Sequence, residues 1–351
     1  MNRGIKNFWN KYKNFRKKNY KKIIIIKLTL LFLILLFFIF FKWLNYYPNN
    51  INLEHKPDYF GVTFSTKYTQ ELGLDYQEVY QAILNDLEVK KIRIPFYWDE
   101  IEKDRDKYDF EVYDYLINEG QKNNVDFIIS IGRRIPRWPE CHSPNWTHNM
   151  SEEEIQKEVL EMIEIVVNRY KNNESVEFWQ IENEAFLSTF GVCPALDEDF
   201  LKKEFELVDS LDDRKKIITS SGELKFWNNE AKIGDIFGTT VYRIVYNSWF
   251  GFVKYPFPTS FYHLKAKLAG IEKENMMVLE LQTEPWVVKG SITQLSEEEI
   301  NKSLSVDQFK ANLQYSINLD LNRVYTWGVE WWYFEKLYGN SDYWEIAKKL
   351  F

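Results

Sequence analysis

Val176-Glu177-Phe178-Trp179-Gln180-Ile181 is an apolar, β-prone run that ends in Glu182-Asn183-Glu184, three polar residues of which two are acids. A strand that closes on ionisable side chains presents chemistry where a strand gives way to a loop. Seven further runs share this form, at residues 60–64, 91–94, 127–131, 216–220, 237–242, 277–281 and 324–327. Polar or amphipathic stretches separate them, and residues 151–172 and 306–319 carry helical spacing. Eight strands alternating with helices predict an α/β fold, a (β/α)₈ TIM barrel over residues 55–351, a block long enough for one such core and undivided by any linker.

The placement of unusual residues fits that barrel, whose chemistry gathers at the carboxyl ends of the strands. Arg93 and Trp98 follow the second run, Arg133, Arg134 and Trp138 the third, and Asn183 and Glu184 the fourth. Glu223 follows the fifth, Tyr242 ends the sixth, Glu280 and Glu284 close the seventh, and Trp327 ends the eighth. An open doubly wound sheet accounts for the alternation but not for acids at both the fourth and seventh ends. Phe60-Gly61-Val62-Thr63-Phe64-Ser65 lacks the glycines of a phosphate loop, so nucleotide binding has no signature here.

Gln180-Ile181-Glu182-Asn183-Glu184, Arg93-Ile94-Pro95-Phe96-Tyr97-Trp98 and Leu279-Glu280-Leu281 together resemble glycoside hydrolase clan A, over nearly all of residues 55–351. The first string is similar to one in β-galactosidase families. Hydrophobic-Glu-Leu-Gln resembles the nucleophile strand of xylanase-like and galactanase-like members. The resemblance implies a barrel that retains anomeric configuration, with Glu184 as general acid/base, Asn183 as donor to the sugar 2-hydroxyl and Glu280 as nucleophile. Such hydrolysis needs two carboxyl groups about 5 Å apart. Glu182 shares strand parity with Glu184 and is its rival; Glu284, in Thr283-Glu284-Pro285-Trp286, is the alternative nucleophile.

Around those acids, Arg93 is suited to keeping Glu280 charged, since guanidinium is always ionised and can hold a carboxylate by two bonds. Tyr242 can orient the same carboxylate. Trp98, Trp138, Trp286 and Trp327 lie near strand ends where a sugar ring would stack, and Trp331 and Trp332 offer further subsites; core filling is the alternative for each. No cofactor or metal is called for: Cys141, His142 and His148 match no zinc spacing, and no Gly-x-Ser-x-Gly elbow accompanies the four histidines. Cys141 and Cys193 fall in neighbouring loops and are read as a disulfide or as two free thiols.

Residues 1–22 are basic, with Arg3, Lys6, Lys11, Lys13, Arg16, Lys17, Lys18, Lys21 and Lys22 and no acid. Residues 23–42 form an apolar segment with the length of a membrane span, and residues 43–54 a short tether. The positive-inside rule then predicts a single-pass signal anchor with a cytoplasmic amino terminus and a barrel outside the cytoplasm. No small-x-small cleavage site follows the apolar run. Residues 43–351 hold 34 basic and 52 acidic residues, a net −18, which argues against nucleic acid and polyanionic glycans as partners. The expected function is that of a membrane-anchored retaining glycosidase on a neutral oligo- or polysaccharide; a glycan-binding barrel without turnover, or a transglycosylase, is the alternative.

Overall fold

The computed structural model describes residue 9 and residues 19–44, 52–55, 58–194 and 197–351. The chain divides into two units by contact, one holding the amino-terminal helix and the other the barrel. The helix, Tyr20–Leu44, contains a span, Tyr20–Ile39, with mean hydropathy 2.8 and no buried share, long and apolar enough to cross a membrane by length and composition. Most of the basic tail and most of the tether lie outside the described residues.

In the second unit eight parallel strands close into a barrel. They are β1 (Phe60–Thr63), β2 (Lys91–Pro95), β3 (Asp126–Ile131), β4 (Val176–Ile181), β5 (Lys216–Ser220), β6 (Ile236–Val241), β9 (Met276–Gln282) and β10 (Val324–Trp327), in spatial order β1-β10-β9-β6-β5-β4-β3-β2. A hairpin absent from the sequence reading, β7 (Ile244–Asn247) with β8 (Gly251–Lys254), follows the sixth barrel strand. The expected (β/α)₈ barrel is therefore present, with strand bounds within a residue of those read from sequence.

The helices form for local reasons. In Glu152–Tyr170 the Ser151 hydroxyl and the Glu154 side chain cap each other's backbone amides, and Ile155, Val159, Met162, Ile163, Val166 and Val167 recur on one face that turns inward. Inside the barrel, Ile128, Ile217, Ile236, Met277, Leu279 and Tyr325 meet in one buried cluster drawn from five strands. Residues of β9 point alternately, so Met277 and Leu279 inward would turn Glu280 out. A bulge resolves this: Thr239 pairs with Val278 and Thr240 with Glu280, skipping one residue. The extra residue re-aims the strand end next to the site.

Candidate active site

Arg93 is the hub beneath the mouth of the barrel. Fully buried, it donates from Nε to Gln180 Oε1 at 2.7 Å, from Nη1 to the Leu279 carbonyl at 3.1 Å, and from Nη2 to Asn183 Oδ1 at 2.9 Å. Its Nη1 also lies 3.4 Å from Glu280 Oε1. One guanidinium thus joins β2, β4 and β9, the ionised group being paid for in hydrogen bonds. Tyr242 Oη donates to the other oxygen of Glu280 at 3.0 Å. Burial, then the charges of Glu280, Glu184 and Glu284, push the Tyr242 phenol well above its ordinary range, so its proton stays in place.

The β4 end is a tight turn in which Glu182 (φ 56°) and Glu184 (φ 45°) both take left-handed backbone. Glu182 fixes that turn. Its carboxylate accepts from the amides of Arg133 at 2.7 Å and Arg134 at 2.6 Å, locking β3 to β4. Gly132 (φ 125°) is required above it, because a Cβ there would fall 2.5 Å from Glu182 Oε1. Burial pushes Glu182 and its neighbour Glu204 above the ordinary carboxylate range. With both oxygens committed to backbone, Glu182 serves the loop.

Glu184 is held differently. Its amide donates to Thr219 Oγ1 at 2.8 Å, yet its Oε1 is buried with no protein partner. Burial first, and then the charges of Glu280 and Glu140, push its carboxyl well above the ordinary range. A carboxyl of raised proton affinity near a carboxylate held by a guanidinium is the arrangement an acid and a nucleophile need. Asn183 stands between them: its Oδ1 is saturated by Arg93, Gln180 and Thr219, which leaves Nδ2 as the donor, directed at Glu140 Oε2 at 3.3 Å.

Glu284 lies on another wall. Arg137 Nη1 donates to its Oε1 at 2.6 Å and lies 3.5 Å, by Nη2, from Glu330 Oε2. The Arg137 guanidinium is sandwiched over the rings of Tyr68 at 3.5 Å and Trp327 at 4.0 Å. Gly328 (φ 117°) allows β10 to pass the Glu284 side chain, since a Cβ would meet it at 2.6 Å. Burial raises the Glu284 carboxyl and Arg137 opposes that shift.

Of the aromatic residues read as sugar contacts, Trp98 is corrected: it is fully buried, donates from Nε1 to Glu102 Oε2 at 2.7 Å and packs edge-on to Trp146. Trp331 and Trp332 are likewise fully buried, the latter bonded to the Thr283 carbonyl. Trp327 is 7% exposed and carries Arg137 on its ring. Trp138, by contrast, is 64% exposed, with Phe190 at 5.8 Å, and Phe190, Trp286 and Tyr242 continue the series of ring contacts. These four make an aromatic rim.

Two further carboxyls near these residues, one buried and one half-buried, were given no role from sequence. Glu140, in the loop after β3 with left-handed backbone (φ 75°), is pushed up to about 8 by burial and by Glu280, with Arg134 opposing. Nothing in a lone acid after Trp138-Pro139 marks it. Glu223 accepts from the Tyr242 amide, Tyr262 Oη and Thr240 Oγ1, and burial pushes it up to about 7; its place after the fifth run was visible, its structural bonds were not. Next to Glu140, Cys141 is bonded to Cys193 with Cα atoms 5.4 Å apart, joining the loops that carry Glu140 and Glu184.

The Glycosyl hydrolase family 10 model matches residues 51–217, a little under half of the chain. β-Galactosidase BgaA of Clostridium cellulovorans is 23% identical over 169 residues, covering 42% of this chain and 25% of that protein. The chain thus spans about a quarter of the length of that curated relative. Among solved structures, xylanase 10B of Thermotoga petrophila in complex with xylobiose aligns at TM-score 0.55 and 17% identity, over 81% of this chain and 87% of the other. A GH5_18 protein of Streptomyces cattleya in complex with GlcNAc aligns at TM-score 0.54 and 11% identity, over 76% and 69%. At that identity the two structures speak for the barrel alone, and the family match is a likeness confined to residues 51–217. The chain is accordingly a closed (β/α)₈ barrel that over residues 51–217 is similar to Glycosyl hydrolase family 10.

Proposed function

We propose that this chain is a membrane-anchored retaining glycosidase in which Glu280 attacks the anomeric carbon and Glu184 protonates the leaving oxygen. The observation that carries this reading is the contrast between the two carboxyls: Glu280 is held by Arg93 and Tyr242, and Glu184 is buried with a free oxygen and a raised proton affinity. Once Glu280 is esterified by the sugar its charge is gone, the push on Glu184 relaxes, and Glu184 becomes the base that activates water. Asn183 Nδ2 is the donor left over for the sugar 2-hydroxyl. Glu184 is pushed up by the charge of Glu280, whereas Glu284 is bonded by Arg137, and this supports Glu280 over its rival.

The test is the stereochemistry of the first-formed product by proton NMR on a cleaved aryl glycoside. Retention is expected; inversion would remove the double displacement, and tight glycan binding without any turnover would leave the binding-barrel alternative. A second sugar acting in place of water would give transglycosylation at the same site.

Substrate is a glycan of neutral character, since the net −18 of residues 43–351 disfavours polyanions. The aromatic rim is the natural subsite beyond the cleft. Trp138→Ala is expected to raise KM several-fold on long glycans while changing stability by less than about 0.5 kcal/mol. Trp98→Ala should do the reverse, costing about 3–5 kcal/mol of stability with little effect on the KM of folded enzyme. Thermal melts and saturation kinetics on both variants check the pair.

The helix Tyr20–Leu44 is the anchor in this reading, with Lys21 and Lys22 and the basic residues before them on the cytoplasmic side. Residues 43 and 44 belong to the helix, residues 45–54 are then the tether, and the barrel acts outside the cytoplasm.

A further inference from the structure

From Ile236 to Ile271 the chain contains no Asp or Glu, although 52 acids are spread over residues 43–351. Its exposed residues include large apolar side chains beside Asn247, Ser248 and Ser260. The turn of the β7–β8 hairpin presents Trp249 at 88% and Phe250 at 82% exposure, and the following helix, Thr259–Ala269, presents Leu264 and Leu268 at 56% and 72%. Beside them, the loop after β5 presents Phe226 at 85%. The loop after β5 adjoins the helix, where the ring of Trp227 meets that of Tyr262 and Lys265 Nζ donates to the Gly222 carbonyl, and the hairpin precedes that helix in the chain. Exposed cations, Lys254 and Lys267, punctuate the surface.

We propose that this flank of the barrel rests on the lipid surface of the membrane, with Trp249 and Phe250 at the boundary between headgroups and acyl chains and Lys254 and Lys267 facing anionic headgroups. The proposal rests on the anchor reading above.

Several features select lipid over other occupants. A large aromatic pair with flanking lysines and no acid is the composition of an interfacial segment, and it stands out in a strongly acidic domain. The hairpin tip also has its backbone in order: Asn247 Oδ1 accepts from the amides of Trp249 at 2.9 Å and Phe250 at 3.3 Å, so apolar surroundings leave those donors satisfied.

The tether points the same way. Asn52 donates its amide to Gln314 Oε1 at 2.9 Å, on the helix Val306–Leu319, which packs against Thr259–Ala269. Seven residues, 45–51, lie between Leu44 and Asn52, a reach of at most about 28 Å. The barrel's attachment point is thus on the helix next to the apolar flank. Because the hairpin springs directly from the end of the strand that Tyr242 follows, closed at its base by the Tyr255 amide on the Arg243 carbonyl at 2.8 Å, its docking would turn the mouth along the membrane toward glycans held near it.

The experiment uses the full chain in vesicles of phosphatidylcholine with and without phosphatidylglycerol. Cys141 and Cys193 are bonded to each other, so Trp249→Cys gives one labelling site for an environment-sensitive fluorophore, and Lys107→Cys, in the loop after β2, gives a control. The label at 249 is expected to shift to the blue and to be quenched by lipids spin-labelled near the headgroup, more so with phosphatidylglycerol, while the label at 107 stays unquenched. A label at 249 that stays in water, in protein that survives an alkaline carbonate wash, overturns the proposal and leaves the anchor. Protection of that label by soluble glycan in place of lipid overturns it in favour of a sugar platform. Release of the chain by the wash removes the anchor reading, and this proposal with it.

Discussion

Glu280→Ala is expected to lower kcat/KM on an aryl glycoside by about four orders of magnitude, since removal of a covalent nucleophile leaves only binding and electrostatics to act. The loss should be partly reversed by azide, which fits where the carboxylate stood. Attack from that side inverts the anomeric centre, so the rescued product is the glycosyl azide of opposite configuration to the substrate. An unrescued Glu280→Ala beside a rescued Glu284→Ala would exchange the two assignments. The buried Arg93 loses an anion in this variant but keeps its bonds to Gln180, Asn183 and Leu279. A stability loss is therefore expected too, and Glu280→Gln, which retains an acceptor for Tyr242 and Arg93, separates folding from chemistry.

Glu184→Gln is the second variant with a large expected effect. Its loss should be severe for substrates with a poor leaving group and mild for a dinitrophenyl glycoside, whose departure needs no proton. The alkaline limb of the kcat/KM profile, which reports deprotonation of the acid, should disappear with the carboxyl.

Stability should move the other way. A carboxyl raised in the folded state favours folding at pH below its unfolded value, and that contribution is lost as pH rises toward the raised value. Glu184, pushed up chiefly by burial, therefore costs stability at neutral pH, and the amide does not. Glu184→Gln should melt above the parent at pH 7 and level with it near pH 4. Glu140, pushed up to about 8, gives the same sign over roughly pH 4.5 to 8 in Glu140→Gln. A melting curve indifferent to pH in both comparisons would refute the electrostatic account of the cleft.

Most of the barrel was legible because its evidence is local. A buried parallel strand reads as a short apolar run, and all eight were found this way. The Asn183-Glu184 turn followed a strand that ended where the pattern broke. Contacts made at long range were not legible. The bulge that re-aims Glu280 depends on pairing with β6, which no period within residues 276–282 reveals. Trp98, Trp331 and Trp332 sit near strand ends in sequence but turn into the packing between strand and helix, a choice of direction invisible to composition. Glu140 becomes part of the cleft only because the β3 loop folds back against Asn183. The β7–β8 hairpin was merged with the polar stretch after the sixth run, since two four-residue strands around a three-residue turn give too little alternation to register.

The central claim is a covalent glycosyl-enzyme at one named carboxylate. Incubation with 2-deoxy-2-fluoro glycosyl fluorides of a sugar that the enzyme cleaves, followed by peptide mapping by mass spectrometry, tests it directly. The account predicts one sugar per chain on the peptide of β9, fragmenting to Glu280, with activity lost in step with labelling. A label on Glu284, or full inactivation with no covalent adduct, would contradict it.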